Sequence, residues 1–208
     1  MAFRIGIDFD NTIVCYDEVF VRTAKADGLI PHDLRGGKAS VRDFVRRLSG
    51  GEEKWQRLQG RVYSDQMEGA ALFAGAARFL ARCRRRADTS VFIVSHKTEF
   101  GHFDPSGINL REVARAWMVK RGFFDKGGFN LSADDLYFEP TRDDKIERIT
   151  QLGCTHFIDD LEEVLGHPQF PARVRRILFL NGRPDRPSVS YEVCADWQEI
   201  EEAIFANA

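Results

Sequence analysis

Apolar residues at alternate positions open the chain. Ile5 and Ile7 alternate within the run 3–8, which predicts a buried strand. A helical period follows over 14–29. Gly-Gly pairs at 36–37 and 50–51 then bracket a compact helical pattern over 40–48, and 52–62 continues as another helix with Trp55, Leu58 and Val62 on one face. The stretch from about 15 to 70 therefore predicts helices only. Beyond it, 72–86 reads as a long amphipathic helix with Phe73, Ala77, Leu80 and Ala81 inward. Arg82, Arg84, Arg85 and Arg86 fall near its end, where cations suit the helix dipole. The run 90–94 predicts a second buried strand, followed by a loop rich in Gly, His and Asp over 97–107 and a helix over 110–121. Strands over 135–138, 155–158 and 175–180 then alternate with helices over 143–152 and 197–205.

Strands that alternate with helices predict an α/β fold, a three-layer Rossmann-like parallel sheet with helices on both faces. The helical stretch 15–70 reads as a small insertion after the first strand, with 1–14 and 71–208 forming the core.

Composition narrows the partners. Hydrophobic residues make up 43% and charged residues 30% of the 208, as in a globular protein with a sizeable core. Lys+Arg number 30 against 32 Asp+Glu, which removes any global electrostatic case for nucleic acid or an anionic membrane. The apolar runs, such as 91–94, are far too short to span a bilayer, and the N-terminus lacks a signal-peptide pattern. Four cysteines lie far apart with no C-x-x-C, so they read as free thiols and the expected location is cytoplasmic.

The candidate chemistry sits where strands end. The first strand runs into D-F-D-N-T at 8–12, and alternate residues of an extended segment face one way. Asp8 and Asp10 can therefore serve one site. Two bare carboxylates 4 Å apart repel by about 4 kcal/mol at an effective dielectric near 20, so a cation or a shared proton is expected between them. The second strand ends in Ser95-His96-Lys97, a later one in Asp159-Asp160, and Lys145 opens a helix between them. In a parallel sheet these C-terminal ends converge on one crevice. Carboxylates, a hydroxyl and an ammonium together suit phosphoryl transfer with Mg²⁺: hard oxygen ligands for the metal, and donors for phosphate oxygens. Single residues leave other readings open. Asp160 could cap the next helix, and His96, His102 and Asp104 read as a solvated loop before they read as a second metal site.

Together the four elements resemble the haloacid dehalogenase-like superfamily of phosphohydrolases, with the S-H-K run and F-E-P-T at 138–141 similar to a little-characterised bacterial branch. The D-x-D-x-T run, a strand ending in Ser95, Lys145 and the acidic pair at 159–160 follow the order and spacing of the family's motifs, across about half the chain. The resemblance implies that Asp8 is the nucleophile and Asp10 the acid and base. Thr12 and Ser95, with Asn11, His96 and Lys97 beside them, would bind the substrate, and Lys145 would neutralise charge. Asp8, Asp159 and the backbone carbonyl of Asp10 would hold Mg²⁺, with Asp160 as a further ligand or an outer partner. Asn11 stands where the family often has Gly, and His96 where a small or amide residue is common.

The expected function is hydrolysis of a small phosphomonoester through an aspartyl-phosphate. Alternatives are a phosphomutase on a sugar phosphate, or a catalytically silent binding or scaffold protein on the same fold. Halide cleavage is disfavoured, because the dehalogenating relatives lack the second aspartate. The inserted helices fall where the family places a cap, so Lys38, Arg42, Trp55, Gln59 and Tyr63 are candidates for specificity. Lys97 is expected to meet a second anionic group on a small phosphorylated metabolite.

Overall fold

The computed structural model describes residues 2–103, 106–183 and 186–206. Its main sheet has six parallel strands: β1 (Phe3–Ile7), β4 (Thr89–His96), β5 (Leu136–Glu139), β6 (His156–Asp159), β7 (Arg175–Phe179) and β8 (Glu192–Cys194). Between β1 and β4 come the two-residue strands β2 (Val14–Cys15) and β3 (Ala71–Leu72), which pair as a separate ribbon. The order in the main sheet is β5-β4-β1-β6-β7-β8. The chain builds outward from β1 on one side, then returns to build outward on the other. The switch in direction lies beside β1, where open α/β sheets form their crevice.

The helices are α1 (Asp17–Ala26), α2 (Lys38–Arg46), α3 (Gly51–Tyr63), α4 (Ala76–Arg84), α5 (Leu110–Lys120), α6 (Arg142–Gln151), α7 (Glu162–Leu165) and α8 (Trp197–Phe205). Sheet and helices interlock through alternating side chains. Phe92, Val94, Phe157 and Leu178 pack with Ile146 and Ile149 of α6 and Val164 and Leu165 of α7. On the other face α4 and α8 meet, with Phe79 against Trp197 and Phe205. Gly6 is needed at the centre of β1, because a Cβ there would stand 2.5 Å from the Phe157 ring. Among the described residues no helix is long and apolar enough to cross a membrane.

The chain divides into two compact units. The sheet unit comprises Met1–Val14, Leu72–Lys97 and Arg121–Ala208, and the helical unit comprises Cys15–Ala71 and Thr98–Lys120. The helical unit thus takes in α5, which the sequence reading assigned to the core. The reason is local packing: Trp117 is buried and its indole N–H donates to the Ala70 carbonyl at 3.1 Å. Within the same unit Phe20 stacks on Trp55 with centroids 5.1 Å apart. Trp55 is therefore part of the packing of this unit. Arg42 is exposed beside Asp43, and the Lys38 ammonium donates to the Tyr63 hydroxyl at 2.8 Å.

Other boundaries move for identifiable reasons. The stretch expected to be helical throughout begins in the ribbon strand β2, and α4 starts at Ala76 rather than 72, behind the left-handed Gly75. The short elements α7 and β8 carry too few residues to show a period. Among the arginines near the end of α4, Arg82 also pairs with Glu201, at 2.7 Å.

Candidate active site

Asp8 follows the last residue of β1, and its backbone N–H donates to Ile158 of β6 at 2.9 Å. Asp159 ends β6. The register Ile7↔Ile158 carried one residue further sets Asp8 beside Asp159 on adjacent strands. Both are buried, at 5% and 0% exposure, with Lys145 of α6 between them at 1%. The Lys145 ammonium donates to Asp8 Oδ1 and to Asp159 Oδ2, each at 2.6 Å. Burial pulls this ammonium downward, but the charges of Asp159 and Asp8 outweigh it and raise its pKa. Burial pushes the Asp159 carboxyl upward, Lys145 opposes that, and the nearby charge of Asp8 adds to it.

A tight turn carries the next residues. Asn11 has φ 63°, a left-handed conformation that asparagine tolerates and most residues do not. Its N–H donates to the Val14 carbonyl at 3.0 Å, and the Trp197 indole N–H donates to the Thr12 carbonyl at 3.1 Å. Thr12, fully buried, thereby points its hydroxyl at Asp8 Oδ2, 3.4 Å away. It also lies 3.5 Å from Asp160 Oδ1, a long contact. Asp160 does not cap the following helix. The Leu161 N–H is taken by Asp159 Oδ1 at 2.9 Å, and no side chain caps α7. The Arg183 guanidinium instead holds the Asp160 carbonyl at 2.9 Å.

Ser95 and His96 lie within β4, not beyond it as the sequence suggested, because β4 runs to His96. The ladder continues one residue more, since the Lys97 N–H donates to the Glu139 carbonyl at 3.0 Å. Alternation therefore puts Ser95 and Lys97 on one side and His96 on the other. Ser95 is buried, and its hydroxyl has no hydrogen-bond partner among the described residues. His96 is exposed. Lys97 is buried at 4%, and its ammonium donates to both oxygens of Asp10 at 2.8 and 3.1 Å. The residue expected to meet a second group on the substrate thus has Asp10 as a partner. S-x-K at the end of β4 alternates in the same way as D-x-D just beyond β1.

The carboxylates of Asp8, Asp159 and Asp160 each offer an oxygen within 4.8 Å of the others, a spacing one cation could serve. The donors are all hard oxygens, which suit Mg²⁺ or Ca²⁺ rather than a thiophilic metal. Four aspartates face two ammonium groups here, which leaves a formal excess of two negative charges. A divalent cation fits that excess. The Asp10 carboxylate is absent from the three-oxygen cluster and is held by Lys97 instead. Asp104, considered with His96 and His102 for a second metal site, lies outside the described residues.

No protein-family model matches the sequence, and neither does any curated protein. Solved structures do match in fold. A haloacid dehalogenase-like hydrolase of Streptococcus pneumoniae is 15% identical, with 98% of each chain covered and a TM-score of 0.60. A hydrolase of the same family from Deinococcus radiodurans, with bound phosphate and sodium, is 16% identical over 98% of this chain and 95% of that one, with a TM-score of 0.56. Protein tyrosine kinase A of Mycobacterium tuberculosis is 14% identical over 98% of each chain, with a TM-score of 0.63. A six-stranded parallel sheet of this order, with carboxylates at the ends of β1 and β6, is the haloacid dehalogenase-like fold, and the chain has it.

Proposed function

We propose that the protein is a Mg²⁺-dependent phosphohydrolase that cleaves a small phosphomonoester through an aspartyl-phosphate on Asp8. The observation that carries this reading is the convergence of the buried Asp8 and Asp159 with the half-buried Asp160, and Lys145 across the first two. The Ser95 hydroxyl, without a hydrogen-bond partner among the described residues, supports it, because a buried donor of this kind suits an incoming phosphoryl oxygen.

The residues divide the work. Asp8, Asp159 and Asp160, with the Asp10 backbone carbonyl, would hold the cation, which when bound would offset charge on the phosphoryl oxygens. Thr12 and Ser95 would donate to those oxygens, and Lys145 would balance charge at Asp8. An Asp8 oxygen attacks phosphorus while the bond to the leaving oxygen breaks, and Asp10, which enters this step protonated, gives that oxygen its proton and is left as a carboxylate. Asp10 then takes a proton from water, whose oxygen attacks phosphorus. Asp8 departs as a carboxylate, and inorganic phosphate is released.

The kinase named among the fold neighbours transfers phosphoryl groups by its title, but 14% identity carries the fold alone. The two aspartates of the D-x-D run favour hydrolysis, since Asp10 is a base available to activate water. The test is a panel of phosphorylated metabolites with Mg²⁺, run beside Asp8→Asn. Hydrolysis of at least one by the wild type, with turnover and the acid-stable protein-bound phosphate both lost in Asp8→Asn, is the expected result. Turnover that survives in a folded Asp8→Asn protein would refute the nucleophile.

A further inference from the structure

Lys97 is a buried cation with a specific acidic partner. Its side chain is 3% exposed, and its ammonium meets both oxygens of Asp10, whose side chain is 18% exposed. The backbone of each residue is held in place. The Lys97 backbone is tied to β5 through Glu139, and Asp10 is tied by the turn that Asn11 and Val14 close. The Phe9 ring lies 5.8 Å from the Lys97 ammonium and flanks it with an apolar wall. β1 and β4 are adjacent, so the contact joins two strands at the rim of one crevice.

We propose that Lys97 is the positioning residue for Asp10: its ammonium grips both carboxylate oxygens and fixes their direction toward the leaving oxygen, and later toward the attacking water. This rests on the phosphohydrolase reading. Lys97 neither gains nor loses a proton in either step; it limits the positions that Asp10 can take. Position matters because a displacement near 1 Å at a reacting group can cost on the order of 100-fold in rate. A role in reading a distal group of the substrate fits poorly with an ammonium this buried and already engaged by a carboxylate.

The test compares Lys97→Met with wild type on two substrates. Ethyl phosphate has a leaving group that needs a proton, and 2,4-dinitrophenyl phosphate has one that departs without it. For kcat/KM, which reports the first chemical step, the variant is expected to lose roughly 10-fold or more on the alkyl ester and little on the activated ester. The second step still needs Asp10, so radiolabelled aspartyl-phosphate should accumulate in the variant during turnover of the activated ester. In Lys97→Ala, which unlike Lys97→Met vacates the space, ethylammonium should restore part of the alkyl-ester turnover and lessen the accumulation, as the amine fills the gap. Equal losses on the two esters, or no accumulation of phosphoenzyme, would overturn the proposal and assign Lys97 to the phosphate site or to the fold. If Lys97→Met does not fold, Lys97→Arg carries the same comparison. It keeps the charge but replaces a point contact with a planar fork, so a smaller loss of the same pattern is expected. A wild type inactive on both esters and on the metabolite panel would refute the phosphohydrolase reading itself, and this inference with it.

Discussion

The Lys145 ammonium stands 2.6 Å from Asp8 Oδ1, with 2% of the lysine side chain and 7% of the aspartate exposed. A pair this buried gains Coulomb energy and loses hydration, and the two roughly offset. Removing one partner is another matter, because it strands the other charge. Lys145 also bridges to Asp159, so Lys145→Met leaves three neighbouring carboxylates with that ammonium gone. The expected cost is about 3–5 kcal/mol of stability without metal. Mg²⁺ should recover part of it, and should stabilise the variant more than the wild type. Urea denaturation of both proteins in EDTA and in Mg²⁺ measures this. Equal Mg²⁺ increments would separate the cation's site from Lys145.

Ser95 makes the opposite case. Its hydroxyl is buried with no partner among the described residues, so the fold gains little from it. Ser95→Ala should leave stability within about 1 kcal/mol of wild type, because no hydrogen bond is broken. The same change should weaken competitive inhibition by inorganic phosphate roughly 10-fold, the scale of one hydrogen bond to a charged group at about 1.5–3 kcal/mol. An inhibition constant that does not move, in a protein as stable as the wild type, would remove Ser95 from the anion site.

These two residues illustrate what the sequence makes legible. Asp8 was visible because an apolar strand delivers it and a second aspartate follows at the strand's own period. Lys145 was one of several lysines until α6 placed it against two carboxylates 137 and 14 residues away, a relation that no local pattern encodes. Lys97 was legible in principle. The period that links Asp8 to Asp10 also links Ser95 to Lys97 once β4 runs past Val94, as it does to His96. The transfer of α5 to the helical unit was not legible, because it depends on Trp117 meeting Ala70 across 47 residues.

The acidic cluster predicts how Mg²⁺ and pH combine. Burial holds the Asp159 carboxyl up at about 6, with Lys145 opposing and Asp8 contributing, against 3.8 ordinarily. A carboxyl raised in the folded state binds more protons there than when unfolded. Without a cation, stability is therefore lost as pH rises from 3.8 toward 6. Cation binding needs the ionised form, so Mg²⁺ should add little below pH 5 and most above pH 7. At a hundred times its dissociation constant the gain is about 2.7 kcal/mol. Thermal melts with Mg²⁺ across that range test it, and Asp159→Asn should erase most of the increment. A Mg²⁺ increment independent of pH and intact in Asp159→Asn would place the cation elsewhere.

Three residues before Asp159, at the opposite end of β6, His156 supplies an acid-sensitive element of the fold. It starts the strand, stacks on Phe3 with centroids 5.8 Å apart, and its Nδ1 lies 2.8 Å from the Thr155 hydroxyl. Its Nε2 is buried without a hydrogen-bond partner among the described residues. Burial, and then the charge of Arg175, lowers its pKa from 6.5 to about 4. The unfolded chain thus binds a proton between those values that the folded chain refuses. Stability is undiminished by this group above pH 6.5 and falls as pH drops toward 4, by at most about 3 kcal/mol for a shift of this size. His156→Leu keeps an apolar filler and removes the titration. Its stability relative to wild type should rise steadily as pH falls from 7 to 4.5, whatever its offset at neutral pH. Chemical denaturation of both proteins over that range gives the difference directly, and two curves that stay parallel would show that His156 is not what acid attacks.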